Sequence, residues 1–327
     1  MDFSEEDILL GCTNQDEFHL IVLPTEQCNF RCLYCYEDHV NRRMTKATVN
    51  AILLLLERKI ENISHLFIDW FGGEPLLELP IIQRINSYIQ HHIDTSNPSV
   101  SFTSAITTNG YLLTEAVFSG LLRLGITHYQ ITLDGTEEQH DSTRIHANGG
   151  KTFETIWMNL NSMKKSQKSF EVVLRLQLMQ SNLSNIQAII YQIEKAFCGD
   201  ARFKIYLKPI RNLGGARKEF CSKESLGDDN QVLKAFENLL RSSSRFWEPN
   251  PVCYAARLNS LMIRPDGSIA KCTVALNDPL NAIGQLRQDG RLTLQKEKLV
   301  RWSRGLFNND KSQLYCPNRG IHSDNLV

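Results

Sequence analysis

Apolar residues in the first two thirds of the chain follow two alternating spacings. Short β-branched and aromatic runs predict strands at residues 18–25, 65–71, 100–107, 128–133, 170–178 and 203–209. Apolar residues at helical spacing predict helices at 45–62, 80–93, 114–124, 152–165 and 183–197. Because parallel strands need a crossover and helices usually supply it, this order predicts an α/β fold with a parallel sheet of six strands.

The last third of the chain has a different pattern. Residues 211–250 contain Gly214-Gly215, a mixed-charge stretch and a predicted helix at 230–242, which we interpret as a bridge. Beyond residue 251, an apolar run at 258–263 and a return at 268–271 flank Pro265-Asp266-Gly267, a sequence typical of a β-hairpin. We therefore predict a main domain at 1–210, a bridge at 211–250 and a small module at 251–327.

Composition narrows the class of protein. Apolar residues make up 42% and charged residues 22%, as in ordinary globular proteins. Lys plus Arg and Asp plus Glu balance at 36 each, so we expect neither a nucleic-acid nor a membrane partner. The apolar run at 51–56 is too short to span a bilayer, and the acidic start at 1–7 is unlike a secretory signal, which predicts a cytoplasmic protein.

The chain has nine cysteines, an odd number that in a reducing compartment favours metal ligands or reactive thiols over disulfides. Cys28, Cys32 and Cys35, the loop thiols, fall on one loop after the first predicted strand. Zinc normally takes four protein ligands, whereas three thiolates on a cubane leave one iron open to a substrate. The alternative is a three-cysteine zinc knuckle completed by His39.

The spacing CxxxCxxC, with the aromatic Tyr34 before the last cysteine, resembles the radical S-adenosylmethionine (SAM) superfamily. The resemblance implies a partial (β/α)6 barrel and a 4Fe-4S cluster on the loop thiols. The open iron of such a cluster binds SAM, which is cleaved reductively to a 5′-deoxyadenosyl radical. It also implies an electron donor such as flavodoxin or ferredoxin, and places Tyr34 near the adenine.

Further segments resemble the family's other motifs: Gly72-Gly73-Glu74-Pro75, Thr108-Asn109-Gly110, Thr132-Leu133-Asp134-Gly135 and His140-Asp141-Ser142-Thr143-Arg144. By resemblance, Glu74 accepts from the SAM amine, Asp134 and Thr132 bind its hydroxyls, and Arg144 clamps its carboxylate. A solvated surface arginine is the alternative for the last residue. The SAM-binding set implied in this way is Tyr34, Gly72, Gly73, Glu74, Asn109, Thr132, Asp134 and Arg144.

Three more cysteines lie near the C-terminus: Cys253, Cys272 in a Gly-x4-Cys segment that begins at Gly267, and Cys316. These C-terminal thiols resemble the start of the SPASM and twitch modules that carry auxiliary iron–sulfur clusters. The resemblance implies one auxiliary cluster, with either an open iron or a fourth ligand from elsewhere. The alternative is three unrelated thiols, because free cysteine is often a buried apolar residue.

The remaining cysteines, Cys12, Cys198 and Cys221, have no partners by spacing. Cys198 follows an apolar helix, so we expect it in the core. Cys221 lies in the bridge and is a weak candidate for a hydrogen-atom donor.

Enzymes that join such a barrel to such a module commonly act on peptides, so the resemblance implies a ribosomally made precursor peptide as substrate. Sulfatase maturases carry an Asp directly after the Gly-x4-Cys cysteine, where this chain has Thr273, a poor base at neutral pH. The expected reaction is therefore an intramolecular cross-link, carbon to carbon or thioether. Epimerisation, dehydrogenation of a small molecule and a non-enzymatic metal scaffold remain as alternatives.

Overall fold

The computed structural model describes residues 12–39, 42–226, 231–242, 246–248, 250–308 and 310–322. The acidic start at 1–7 lies outside these ranges. The strands are β1 Glu17–Val22, β2 His65–Trp70, β3 Ser101–Thr108, β4 Ile126–Leu133, β5 Glu171–Leu178, β6 Phe203–Pro209, β7 Ser260–Ile263, β8 Ser268–Ala270, β9 Ala282–Leu286 and β10 Leu292–Leu294. The helices are α1 Lys46–Ile60, α2 Leu79–Ser96, α3 Glu115–Arg123, α4 Glu137–Thr143, α5 Phe153–Lys164, α6 Ile186–Ala196, α7 Lys218–Glu224, α8 Gln231–Ser242, α9 Lys296–Trp302, α10 Gly305–Asn308 and α11 Lys311–Tyr315.

The predicted alternation of strands and helices is confirmed, and with it the α/β class. The strand predicted at 203–209 has the same bounds in the structure. The sequence prediction lacked β9, β10 and the short helices α4, α7 and α9–α11. These elements are three to seven residues long, too short for a spacing pattern to stand out.

The chain divides into two compact units that are discontinuous in sequence. The first comprises Met1–Glu26, Asn41–Ser104 and Pro249–Val327, and the second comprises Gln27–Val40 and Ala105–Glu248. Strand β3 contributes its first half to one unit and its second half to the other. This division by packing does not test the three-part division of the sequence, which stays a prediction.

In the first unit, β1 pairs in parallel with both β2 and β7. Strands β7, β8, β9 and β10 then pair antiparallel, each with the next. The β7–β8 turn contains Gly267 at φ +80°, where glycine is favoured, and the Asp266 carboxylate accepts from the Ser268 amide at 3.0 Å. The predicted hairpin is confirmed.

In the second unit, β4, β5 and β6 pair in parallel, with Thr132 opposite Arg175 and Arg175 opposite Tyr206. Alternate β4 side chains such as Ile131 and Leu133 are buried. Helix α6 buries isoleucines on one face, because its apolar residues recur every three to four positions. Loops that leave the carboxyl ends of parallel strands commonly carry chemistry, which directs attention to the segments after β3 and β4.

None of the helices in the described ranges is long and apolar enough to span a bilayer.

Candidate functional site

The loop that carries the loop thiols is held by backbone hydrogen bonds to one neighbouring segment of the second unit. The amides of Leu33 and Arg31 donate to Thr143 O at 3.0 Å and Ile145 O at 2.7 Å. The buried Phe30 ring meets Tyr111 edge-on at a centroid distance of 5.7 Å. These contacts, which involve no sulfur atom, shape the loop.

Two N–H donors lie near the first of the loop thiols. The Phe30 amide donates to Cys28 Sγ at 3.3 Å, and Asn109 Nδ2 lies 4.0 Å from the same sulfur. Asn109 directly follows β3 and also donates to Asn29 Oδ1 at 2.7 Å. N–H groups that point at a thiolate sulfur are a common feature of iron–sulfur sites, where they tune the cluster.

Burial makes the other two loop thiols hard to ionise in the free protein. Desolvation raises the pKa of Cys32, and desolvation together with Glu37 raises that of Cys35 to about 12. A metal removes the proton from a coordinating thiol outright, so such thiols exchange protons for metal.

No group of three or more His, Cys, Asp and Glu side chains in the described ranges is arranged to hold a single metal ion. A cubane differs from a single ion because each thiolate binds a different iron atom. The donor set of three thiols on one preformed loop, with N–H groups beside a sulfur, fits such a cluster.

Asp134, the first residue after β4, is the centre of a buried polar group. Its carboxylate accepts from Tyr34 OH at 2.8 Å and from Thr143 Oγ1 at 2.6 Å. Its backbone oxygen accepts from Asn182 Nδ2 at 2.6 Å. Desolvation raises the pKa of Asp134, while the Arg144 charge acts in the opposite direction.

Arg144 is only 7% exposed, so the surface alternative for this residue is wrong. Its Nη1 donates to Tyr34 OH at 2.8 Å, and its guanidinium lies over the Phe30 ring. Its Nε is buried without a hydrogen-bond partner in the described structure. A buried guanidinium with a spare donor suits a carboxylate ligand.

The Gly72-Gly73-Glu74 segment belongs to the first unit and follows β2. Gly72 has φ +120°, and a Cβ built there would lie 2.3 Å from Thr25 O. Only glycine fits here, because another segment of backbone comes so close. The fully buried Glu74 accepts from the Leu76 amide at 3.0 Å and caps the short helical turn Pro75–Glu78.

Hydrogen bonds join the segments of the C-terminal thiols in the first unit: the Cys253 amide donates to Leu314 O at 2.9 Å, and the Thr273 amide donates to Tyr254 OH at 2.9 Å. Cys316 raises the pKa of Cys253, after the larger effect of burial. Burial raises the pKa of Cys272 to about 12, with smaller contributions from the other two thiols. The Cys272 segment is held by Asn281, whose Oδ1 accepts from the Cys272 amide at 2.8 Å and whose Nδ2 donates to Cys272 O at 2.8 Å.

The remaining residues that the sequence singled out differ in how deeply they are buried. Thr132 lies half-buried on β4, and Thr273 is buried with its Oγ1 2.7 Å from Tyr254 OH. Cys221 on α7 is buried, and its thiol donates to Tyr34 O at 3.5 Å. Cys198 is exposed, so its expected core position is wrong; the neighbouring Phe197 takes that position.

Sequence reasoning missed several residues around these groups. Asn182 lies outside every motif, and Thr143 lies within the segment from His140 to Arg144 but was given no role; both contact Asp134 through their side chains. Lys271, a charged residue directly between β8 and Cys272, was a visible signal, and it is 1% exposed. Cys12 was also missed, and it packs with Val252, the residue before Cys253.

Comparison with known proteins identifies the class. Residues 22–180 match the model of the Radical SAM superfamily, so the chain carries a radical SAM domain. Members of this family bind a 4Fe-4S cluster and SAM, and the loop thiols lie within the matched residues.

Two curated relatives cover part of this domain. The chain is 35% identical over 135 residues to an uncharacterized protein of Methanocaldococcus jannaschii, which is 40% of this chain and 43% of that protein. It is 27% identical over 183 residues to the cysteine-type anaerobic sulfatase-maturating enzyme of Clostridium novyi, 54% of this chain and 47% of that protein. The matched regions thus span less than half the length of either relative.

Two solved structures share the fold over most of the chain. The structure of anSMEcpe with bound AdoMet and the Cp18Cys peptide superposes with a TM-score of 0.62 at 18% identity, covering 87% of this chain and 80% of that one. The structure of Streptococcus suis SuiB bound to the precursor peptide SuiA gives 0.59 at 12% identity, covering 81% and 61%. At these identities the likeness establishes the fold.

Proposed function

We propose that this protein is a radical SAM enzyme that forms an intramolecular cross-link in a ribosomally made peptide. When bound, the 4Fe-4S cluster and SAM supply a 5′-deoxyadenosyl radical. The observation that carries the proposal is the presence of two separate groups of three thiols, one on the loop after β1 and one in the C-terminal segment. Relatives that are crystallised with peptides support a peptide substrate.

The polar group around Asp134 is the proposed binding surface for SAM. Arg144 offers its spare buried donor to the SAM carboxylate, and Asp134 offers oxygens to hydroxyls. Tyr34 lies between these two side chains and is hydrogen bonded to both, so it fixes their positions. Asn109 and Thr132, which belong to the same unit, join this proposed surface. For Gly72, Gly73 and Glu74 a role in SAM binding is proposed from the resemblance of their motif alone.

Cross-linking removes two hydrogen atoms from the peptide. One leaves as an atom and is taken up by the 5′-deoxyadenosyl radical; the other leaves as a proton while its electron passes to an oxidised acceptor. An auxiliary cluster on the C-terminal thiols is the proposed acceptor. Each SAM consumes one electron from an external donor such as flavodoxin or ferredoxin.

The residue after Cys272 argues against a sulfatase-maturase reaction. Thr273 is hydrogen bonded to the buried Tyr254 hydroxyl, and burial raises the pKa of that phenol well above its ordinary value. Neither hydroxyl ionises near neutral pH, so this position offers no ready proton acceptor.

The test uses anoxically reconstituted protein with SAM and dithionite, together with peptides encoded next to the gene. We expect 5′-deoxyadenosine and a peptide lighter by two hydrogen atoms, and neither product when alanine replaces the loop thiols. Peptide deuterated at the attacked carbon should transfer one deuterium to 5′-deoxyadenosine. A peptide of unchanged mass that takes up solvent deuterium would instead indicate epimerisation.

Replacing Cys221 distinguishes cross-linking from epimerisation, because only epimerisation needs a hydrogen-atom donor. For a cross-linking enzyme, Cys221→Ser should still yield product. If the variant cleaves SAM but no longer yields modified peptide, the thiol takes part and the cross-linking proposal fails.

A further inference from the structure

Lys271 is a buried amine next to the C-terminal thiols. Its Nζ donates to two backbone carbonyls, Arg257 O and, at 2.5 Å, Ser260 O. Carbonyls satisfy the donors but leave the charge in place, and an unpaired buried charge is costly. Among the described residues, the ionisable groups that act on this amine are Cys253 and Cys12.

Arg257 is a second basic side chain at the same place. Its Nε is buried without a hydrogen-bond partner in the described structure. Its charge acts on the same two thiols, Cys12 and Cys253. Two basic side chains that act on the same two thiols, one of them with an unused donor, favour a negatively charged group at this place.

Strand pairing brings Cys12 close to the segment before β7. Strand β1 pairs in parallel with β7, and just before these strands the Leu258 amide donates to Cys12 O at 3.0 Å. The Cys12 side chain is 1% exposed and packs with Val252, Ala256, Leu306 and Leu314. Val252 precedes Cys253, whose amide donates to Leu314 O at 2.9 Å, two residues before Cys316.

We propose that the Cys12 thiolate is the fourth protein ligand of an auxiliary cluster on the C-terminal thiols. This assignment rests on the proposed function, which includes the auxiliary cluster, and adds the identity of its fourth ligand. A fourth thiolate makes the cluster one unit more negative, which suits the buried Lys271 and the half-buried Arg257. It also leaves no iron open to substrate, so the cluster serves in electron transfer.

The test isolates the auxiliary site by replacing the loop thiols with alanine in the full chain, which serves as the background. Cys12→Val keeps an apolar side chain among the neighbours of Cys12, and Cys198→Val is the matched control at an exposed thiol. Each protein is reconstituted anoxically with iron and sulfide, oxidised with ferricyanide, and measured for iron content and by electron paramagnetic resonance.

We expect the background and Cys198→Val to keep a four-iron cluster on oxidation. Cys12→Val should lose about one iron of the four, with the signal of a three-iron cluster, because that iron lacks a protein ligand. Cyanide should change the spectrum of the reduced cluster in Cys12→Val alone. Similar far-ultraviolet circular dichroism spectra should accompany these differences.

Cys12→Ser distinguishes a ligand from a core residue. A serine oxygen can still bind iron, so we expect Cys12→Ser to retain more iron than Cys12→Val. The opposite order, or a Cys12→Val cluster that matches the background, overturns the assignment while leaving the auxiliary cluster in place. A background that takes up no cluster overturns the proposed electron acceptor itself.

Discussion

Single buried side chains decide much of the chemistry around Asp134. Tyr34, Thr143 and Arg144 form one connected group with the Asp134 carboxylate, directly or through the Tyr34 hydroxyl. In such a group each residue orients the next, so removing one charge affects the others. The site is therefore sensitive to substitutions that barely change shape.

Asp134→Asn keeps the shape of the side chain and removes its charge. Hydrogen bonds to charged groups are worth about 1.5–3 kcal/mol, so we expect roughly 10- to 100-fold weaker SAM binding. Isothermal titration of anoxically reconstituted protein measures this. The control is Asp200→Asn in the turn before β6, where the carboxylate pairs with Arg202. Equal SAM affinity in the Asp134 variant and the parent would contradict the assigned role.

His140 makes stability depend on pH. It is fully buried, and desolvation, followed by the Arg144 charge, lowers its pKa well below the ordinary value. The folded protein therefore keeps His140 neutral, while the unfolded chain binds a proton below about pH 6.5. Above about pH 6.5, His140 is neutral in both states and does not change the free energy of unfolding. Below that pH, the free energy of unfolding falls by up to about 1.4 kcal/mol for each pH unit.

Urea unfolding of the parent and His140→Gln between pH 7 and 5 tests this. The variant should lose less stability than the parent on acidification. His128→Gln, at an exposed histidine, should behave like the parent. Parallel pH profiles for all three proteins would exclude the role of His140.

Among the elements, the turn after β2 depends on backbone packing. A side chain at Gly72 meets Thr25 O and also needs φ +120°, whereas Gly149 has φ +87° with nothing within 4 Å. Gly72→Ala should therefore cost roughly 3 kcal/mol or more, and Gly149→Ala about 1 kcal/mol. Chemical denaturation measures the loss of stability in both variants. Equal losses would mean that the Thr25 backbone moves aside for the new Cβ without a loss of stability.

At the scale of the whole molecule, the two groups of thiols belong to different compact units. We expect each group to bind its cluster independently, so that alanine in place of either group removes about half of the bound iron. Iron analysis after anoxic reconstitution checks this. SAM cleavage should disappear only when the loop thiols are replaced. Loss of all iron in one of the two variants would show that the two sites depend on each other.

Local sequence determined the order of strands and helices, the β7–β8 hairpin, the loop thiols and the Gly-x4-Cys segment. These features depend on spacing within short stretches, where side-chain periodicity and turn chemistry act directly. The resemblance of the cysteine loop and its neighbouring motifs then sufficed to identify the radical SAM domain.

Only the tertiary structure decided that Arg144 is buried, that Cys198 is exposed, and that Cys12 packs with Val252, the residue before Cys253. Cys12 reaches the segment of Val252 and Leu258 because β7 returns alongside β1, and strand pairing between distant segments cannot be read from the spacing of either one. The burial of Lys271 likewise depends on a separate segment, since its Nζ donates to the backbone carbonyls of Arg257 and Ser260. Long-range packing is a property of the folded chain, and it determines which thiols and charges share a site.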